Sequence, residues 1–176
     1  MAAAAPGSAP ASSPSPSPST SPKLAPFKER LAAAKSVKVE ASVLGLGIGS
    51  TLAQAHARLD SLGEPAKPST EATEDAEQGE KERRIIWHLA KSDFSSVFVK
   101  ADEQERIIYL AAFLRPGKEI PFDKVGQTEK APVLTDHTVA WDVVRPNQPL
   151  IRVVARGEDR KASSITIFLV KRPPRP

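Results

Sequence analysis

The stretch "VLGLGIGST" (43–51) sets Gly45, Gly47 and Gly49 between a β-branched run and an amphipathic segment. A strand, a glycine-rich turn and a helix in that order can bring backbone amides up to a phosphate at the helix N-terminus. A nucleotide site of that kind also needs a lysine after the last glycine, or a parallel crossover with an acidic residue ending its second strand. Neither follows here, so the glycines are expected to turn the chain into the helix. His56, His88 and His137 show no ligand spacing, and the chain contains no cysteine, which removes disulfides, thiolate metal sites and a Cys nucleophile. In "TDHT" (135–138) Asp136 adjoins His137, but neighbours on an extended chain point apart, and no G-x-S-x-G turn supplies a nucleophile. The carboxylates of "STEATEDAEQGEKE" (69–82) lie on a polar stretch that fixes neither their separation nor a raised pKa. The expectation is a non-enzymatic protein with no metal and no cofactor.

Any site must be carried by the elements that the apolar pattern can build. Residues 1–26 are almost entirely Ala, Pro and Ser, offer no large apolar side chains to bury, and read as a disordered tether with polyproline character. The single domain is expected over 37–172, with a short helix before it in "FKERLAAAKS" (27–36) and a strand in "VKVEASVLGL" (37–46). After Gly49, Ser50 or Thr51 can cap a helix whose Leu52, Ala55, Leu59 and Leu62 share one face, and Gly63 with Pro65 is expected to stop it. An acidic loop follows at 66–82. Beyond it, "RRIIWHLA" (83–90), "SSVFVKA" (95–101) and "RIIYLAAFL" (106–114) read as one meander, and "TVAWDVVR" (138–145), "PLIRVVAR" (149–156) and "SSITIFLV" (163–170) as a second.

The two triplets echo one another. Trp87 corresponds to Trp141, and the same offset pairs Leu89 with Val143, Val97 with Ile151, Val99 with Val153 and Ala101 with Ala155. Upstream, Leu59-Asp60 and Leu62-Gly63 correspond to Phe122-Asp123 and Val125-Gly126. This predicts an α+β fold: a tandem duplication of a helix and three-stranded meander unit (43–115 and 116–172) in one antiparallel sheet of about six strands. The expected core is two cross-strand rows in each copy, Trp87 opposite Val99 opposite Ile108 and Leu89 opposite Val97 opposite Leu110 in the first, and Trp141 opposite Val153 opposite Ile165 and Val143 opposite Ile151 opposite Ile167 in the second.

A capped helix opened by "GIGS", closed by "LGEP" and followed by a Trp-containing meander resembles the helix-plus-meander domains of small outer-membrane barrel-assembly lipoproteins. The tandem form is similar to the β-lactamase inhibitory proteins, which grip a partner with their sheet. This chain departs from the inhibitory proteins in having one clear helix and no cysteine. The resemblance implies the architecture. A Pro/Ser tether before a compact domain is what an exported protein looks like after processing, so the expected location is the bacterial cell envelope, periplasmic or secreted once a leader is removed, although "MAAAAPGSAP" itself has no signal-peptide pattern.

The residues facing away from the expected core form the candidate binding surface. His88, Phe98 and Tyr109 are expected in one cross-strand row of the first copy, near Phe113, with Asp142, Arg152 and Thr166 in the matching row of the second. Exposed aromatics beside an arginine are the chemistry of protein–protein hot spots. The expected function is therefore binding of another protein through the outer sheet face. The alternative is a small-ligand or hydrolase site between helix and sheet. The formal net charge of +4 is mild, and the basic residues from Arg145 to Arg175 are dispersed without a stacking motif, so nucleic acid is not an expected partner. No apolar run is long enough to span a membrane as a helix.

Overall fold

The computed structural model describes residues 29, 32, 34–66, 82–146 and 149–170. The tether expected at 1–26 and most of the acidic loop lie outside them. Residues 29, 32 and 34 are helical. The chain then forms a small hairpin, β1 (Ser42–Val43) and β2 (Leu46–Gly47), and enters helix α1 (Leu52–Leu59). Thr51 caps α1: its hydroxyl accepts from Gln54 N at 3.2 Å while Gln54 Oε1 accepts from Thr51 N at 3.0 Å, a reciprocal box that satisfies two exposed amides. Leu52, Ala55 and Leu59 are buried at helical spacing, as the pattern predicts.

The helix ends at Asp60, earlier than the expected stop. Gly63 instead opens an edge strand, β3 (Gly63–Pro65), paired with β4 (Arg83–Leu89). A Cβ on Gly63 would lie 2.0 Å from the His88 carbonyl oxygen, so the glycine serves close backbone approach and not helix termination. Strands β4, β5 (Phe94–Ala101) and β6 (Ile107–Leu114) form the first meander. Short β7 (Ile120–Pro121), helix α2 (Phe122–Val125) and β8 (Val133–Leu134) lead to the second, made of β9 (Thr138–Val143), β10 (Ile151–Glu158) and β11 (Lys161–Leu169).

The fold is α+β, and its main sheet has nine strands in place of the expected six. The order is β3-β4-β5-β6-β11-β10-β9-β8, with β7 also paired to β11, and every pair is antiparallel. The added strands β3, β7 and β8 have two or three residues each, too short to show an alternating pattern in sequence. The expected strand at 37–46 is reduced to a single bridge, Val39 to Gly126, and the β1–β2 hairpin, because Leu44 and Gly45 both turn through positive φ.

Eleven of the twelve expected core residues are buried; Ile108 is the exception. A bulge between Lys100 and Ala101 sets Ala101 opposite Ile107, so Ile107 takes the inward place. Pairing in the first meander is also two residues from expectation, with Trp87 opposite Val97 and Val99 opposite Leu110. A slip of two keeps side chains on their faces, which is why the core survives it. In the second meander Trp141 faces Val153 and Val143 faces Ile151 as expected, but Val153 faces Ile167 where Ile165 was expected and Ile151 faces Leu169 where Ile167 was expected, again a slip of two.

Two substitutions test this account. Thr51→Ala removes the cap and is expected to cost about 1 kcal/mol. Gly63→Ala forces β3 off the β4 backbone and is expected to cost about 1–3 kcal/mol by overpacking. Urea denaturation midpoints followed by Trp fluorescence measure both.

Candidate functional site

The outward-facing residues follow from the observed register. One row runs Arg84, Lys100, Tyr109, Phe168, Arg152 and Asp142, each paired to the next across the sheet. The neighbouring row runs Ile86, Phe98, Ala111, Thr166, Val154 and Ala140. The central pair, β6 with β11, is the seam between the two meanders, and the aromatics gather over it. Tyr109 and Phe168 stack with centroids 6.2 Å apart, and Phe98 meets Tyr109 edge-on at 5.8 Å. Such ring pairs add about 0.5–1.5 kcal/mol each beyond their burial. Ile86 and Phe113 flank the cluster and are 42% and 47% exposed.

The expected trio His88, Phe98 and Tyr109 does not form one row. The two-residue slip places His88 opposite Ser96, Phe98 between Ile86 and Ala111, and Tyr109 between Lys100 and Phe168. Phe98 and Tyr109 remain in contact diagonally, whereas His88 is exposed near the β3 edge. In the second meander Asp142 and Arg152 are a cross-strand pair, and Thr166 lies one row away, between Ala111 and Val154. Phe168 is the member that sequence reasoning missed. It follows Thr166 by two residues on the same strand and so shares its face, a signal the alternation of "SSITIFLV" carried.

Charge closes the aromatic row at both ends. Arg152 Nε donates to Asp142 Oδ1 at 2.7 Å and its Nη2 to Oδ2 at 3.2 Å, a two-point guanidinium–carboxylate contact. Asp142 is only 3% exposed and Arg152 is one-fifth exposed, so the contact is well desolvated. At the other end Glu82 holds Lys100 at 2.6 Å and Arg84 at 3.8 Å. The outer face thus has a half-buried aromatic centre between two ion pairs, but Asp142, expected on the binding surface, is buried together with Ala111, Ala140 and Val154, so this end of the face is covered and not open.

The remaining candidates are spent on structure. The Gly49 amide donates to the Ile107 carbonyl at 2.9 Å, Leu52 N to Glu105 O at 2.8 Å, and Gly47 N to Ser50 Oγ at 3.2 Å, so these donors hold the loop against β6. His56 Nδ1 lies 3.2 Å from Asp60 and its ring meets Trp87 edge-on. His137 and Asp136 sit exposed in the β8–β9 turn. Among the described residues, no three His, Cys, Asp or Glu side chains come together as a metal site, and no helix is long and apolar enough to cross a membrane. The interface between α1 and the sheet is filled by Leu52, Ala55, Leu59, Trp87 and Leu89. An open groove of about 520 Å³ lies at its margin, lined by Ser50, Gln54, Asp102, Arg106 and Leu169 among others. Asp102 there closes the β5–β6 turn by accepting from Gln104 N and Arg106 N.

Replacing Arg152 with Ala removes a two-point contact to a desolvated carboxylate and is expected to cost about 1.5–3 kcal/mol, against under 1 kcal/mol for Arg83→Ala, which breaks the exposed contact to Glu105. Thermal unfolding at neutral pH measures both. Compared with known proteins, the chain matches no family model, no curated protein and no solved structure.

Proposed function

We propose that this chain is a non-enzymatic binding or scaffold domain of the bacterial cell envelope that holds another protein against the outer face of its sheet. The observation that carries the reading is the aromatic cluster of Phe98, Tyr109 and Phe168 over the seam, bounded by the Asp142–Arg152 and Lys100–Glu82 pairs. Rigid aromatics on strands lose little side-chain freedom on binding, and fixed flanking charges orient a partner. The filled interface between α1 and the sheet favours this over a ligand or hydrolytic site there.

The envelope location rests on the resemblance to the barrel-assembly lipoproteins and β-lactamase inhibitory proteins, and on the Pro/Ser-rich composition of residues 1–26. In the same reading the two meanders descend from one unit. Each buries a Trp whose indole N–H is accepted just beyond a helix, by Asp60 after α1 and by the Gln127 carbonyl after α2. The two-residue difference in hairpin pairing marks divergence since the duplication.

A photo-crosslinking residue placed at Phe113 in the full chain tests the face directly. The expected result is a discrete protein adduct in the envelope fraction that disappears when Phe98→Arg and Tyr109→Arg are added, with circular dichroism unchanged. Adducts that persist in the folded double variant, or none in any fraction, would remove the outer face as the binding surface.

A further inference from the structure

We propose that the groove beside the start of α1 is a site for an acyl chain, with the aliphatic tail against its floor and the carboxyl oxygens of the head at its polar lip. The groove shares no residue with the aromatic cluster of the outer face, so the inference goes beyond the protein-binding reading. Its volume of about 520 Å³ falls within the range of about 300–1,000 Å³ usual for small-molecule sites. The floor is aliphatic, made by Ile48, Ile108, Ile151 and Leu169, and among the described residues no aromatic side chain lines it. A lining of that kind suits a flexible chain better than a planar ring. Ile151 and Leu169 are cross-strand partners of β10 and β11. Ile108 is the residue that the Lys100–Ala101 bulge leaves out of the pairing, and it lines the groove half-buried instead of entering the core. Bulges gather where a fold re-aims a side chain at a site.

The lip selects the head group by what its side chains have left to offer. Gln54 Oε1 accepts from the Thr51 amide in the capping box, which leaves the Gln54 NH2 to donate. Ser50 Oγ accepts from Gly47 N at 3.2 Å and keeps its O–H. Asp102 Oδ1 accepts from the Gln104 and Arg106 amides at 3.0 and 2.8 Å, and its Oδ2 lies 3.4 Å from Arg106 Nε. Arg106 Nη2 donates to Gln104 Oε1, so Nη1 is the part of the guanidinium without a partner among the described residues. The acceptors at the lip are thus engaged within the fold, and the groups left over are donors. Arg106 and Asp102 balance each other's charge. A head that brings acceptors and no donors, the carboxyl oxygens of an acid or an ester, completes these donors. An ammonium head would bring donors to donors and find the carboxylate already held by Arg106.

Titration of the full-length, nitrogen-15-labelled chain, followed by amide NMR shifts, tests the site with probes that share one tail: octanoate, methyl octanoate and octylammonium. Octanoate or its ester is expected to shift the amides of Ser50, Gln54, Ile108 and Leu169 saturably. Affinity should rise about fourfold for each methylene added from hexanoate to octanoate. Tighter binding of the acid assigns the groove to free carboxylates, and binding of the ester as tight or tighter assigns it to esterified acyl chains. Gln54→Glu keeps the capping box, in which glutamate serves equally, but turns the remaining donor into an acceptor. It is expected to weaken binding of the preferred probe about tenfold with the circular dichroism spectrum unchanged. Octylammonium binding as tightly as the acyl probes, equal affinity in the Gln54→Glu protein, shifts confined to the outer aromatic face, or no saturable shift would each overturn the site. The Phe98→Arg and Tyr109→Arg protein is expected to bind the acyl probes unchanged. Failure here therefore leaves the protein-binding reading standing, and failure of the crosslinking test leaves the groove standing.

Discussion

The architecture depends on burying two indole rings without losing the hydrogen bonds of their N–H groups. Trp87 and Trp141 are both fully buried, one in each meander. A buried donor with no acceptor costs about 1–3 kcal/mol, so each indole needs an oxygen in line with its N–H. Asp60 provides one at 2.8 Å from the end of α1, and the Gln127 carbonyl provides the other at 2.8 Å just past α2. The helix layer is thereby tied to the sheet at two points. Gly126 belongs to the same constraint: a Cβ there would lie 2.7 Å from Val39 and 3.0 Å from the Trp141 ring. Space over the indole is reserved for the returning chain.

The second organising feature is the seam. Strands β6 and β11 join the meanders with Leu110 opposite Ile167 on the inner face and Tyr109 opposite Phe168 on the outer. The inner pair makes one continuous core of two small ones, and the outer pair assembles aromatic area that neither meander holds alone. Small Ala111 and Ala112 beside them let the flanking rings and Val97 close over the junction. The core and the outer aromatic cluster thus draw on the same pairing. The Asp142–Arg152 contact sits at the end of this row, where a desolvated charge pair adds orientation more than net stability.

The groups that offered chemistry in isolation are consumed in holding these pieces together. Loop amides at Gly49 and Leu52 fasten the start of α1 to β6, Asp102 closes a hairpin, and Asp60 serves Trp87 and His56 at once. What remains partly open to solvent is the aromatic centre of the outer face, with Phe98, Tyr109 and Phe168 half-buried and Ile86 and Phe113 exposed beside them, while the Asp142 end is buried. A surface of that kind suits recognition of an extended or preformed partner.

Six long strands, α1 with its cap and apolar stripe, and the inward parity of eleven core residues were all legible in the amino-acid sequence. Period-2 alternation, helical spacing and capping chemistry are local properties, and local properties survive in one dimension. The members of the outer face were legible as candidates for the same reason, since parity alone separates Phe98, Tyr109, Asp142, Arg152, Thr166 and His88 from the core. Their grouping was not. Which residue stands opposite which depends on where each hairpin turns, as between β4 and β5, and between β5 and β6 also on bulges at Phe94–Ser96 and Lys100–Ala101, none of which composition announces. The short strands β3, β7 and β8 exist only because longer neighbours leave backbone groups to be paired. Phe168 entered the aromatic cluster because β6 and β11, far apart in the chain, meet at the seam. Alternation along the chain sets which side chains can be buried; pairing between distant strands sets which of them meet, because that contact depends on register and close backbone approach.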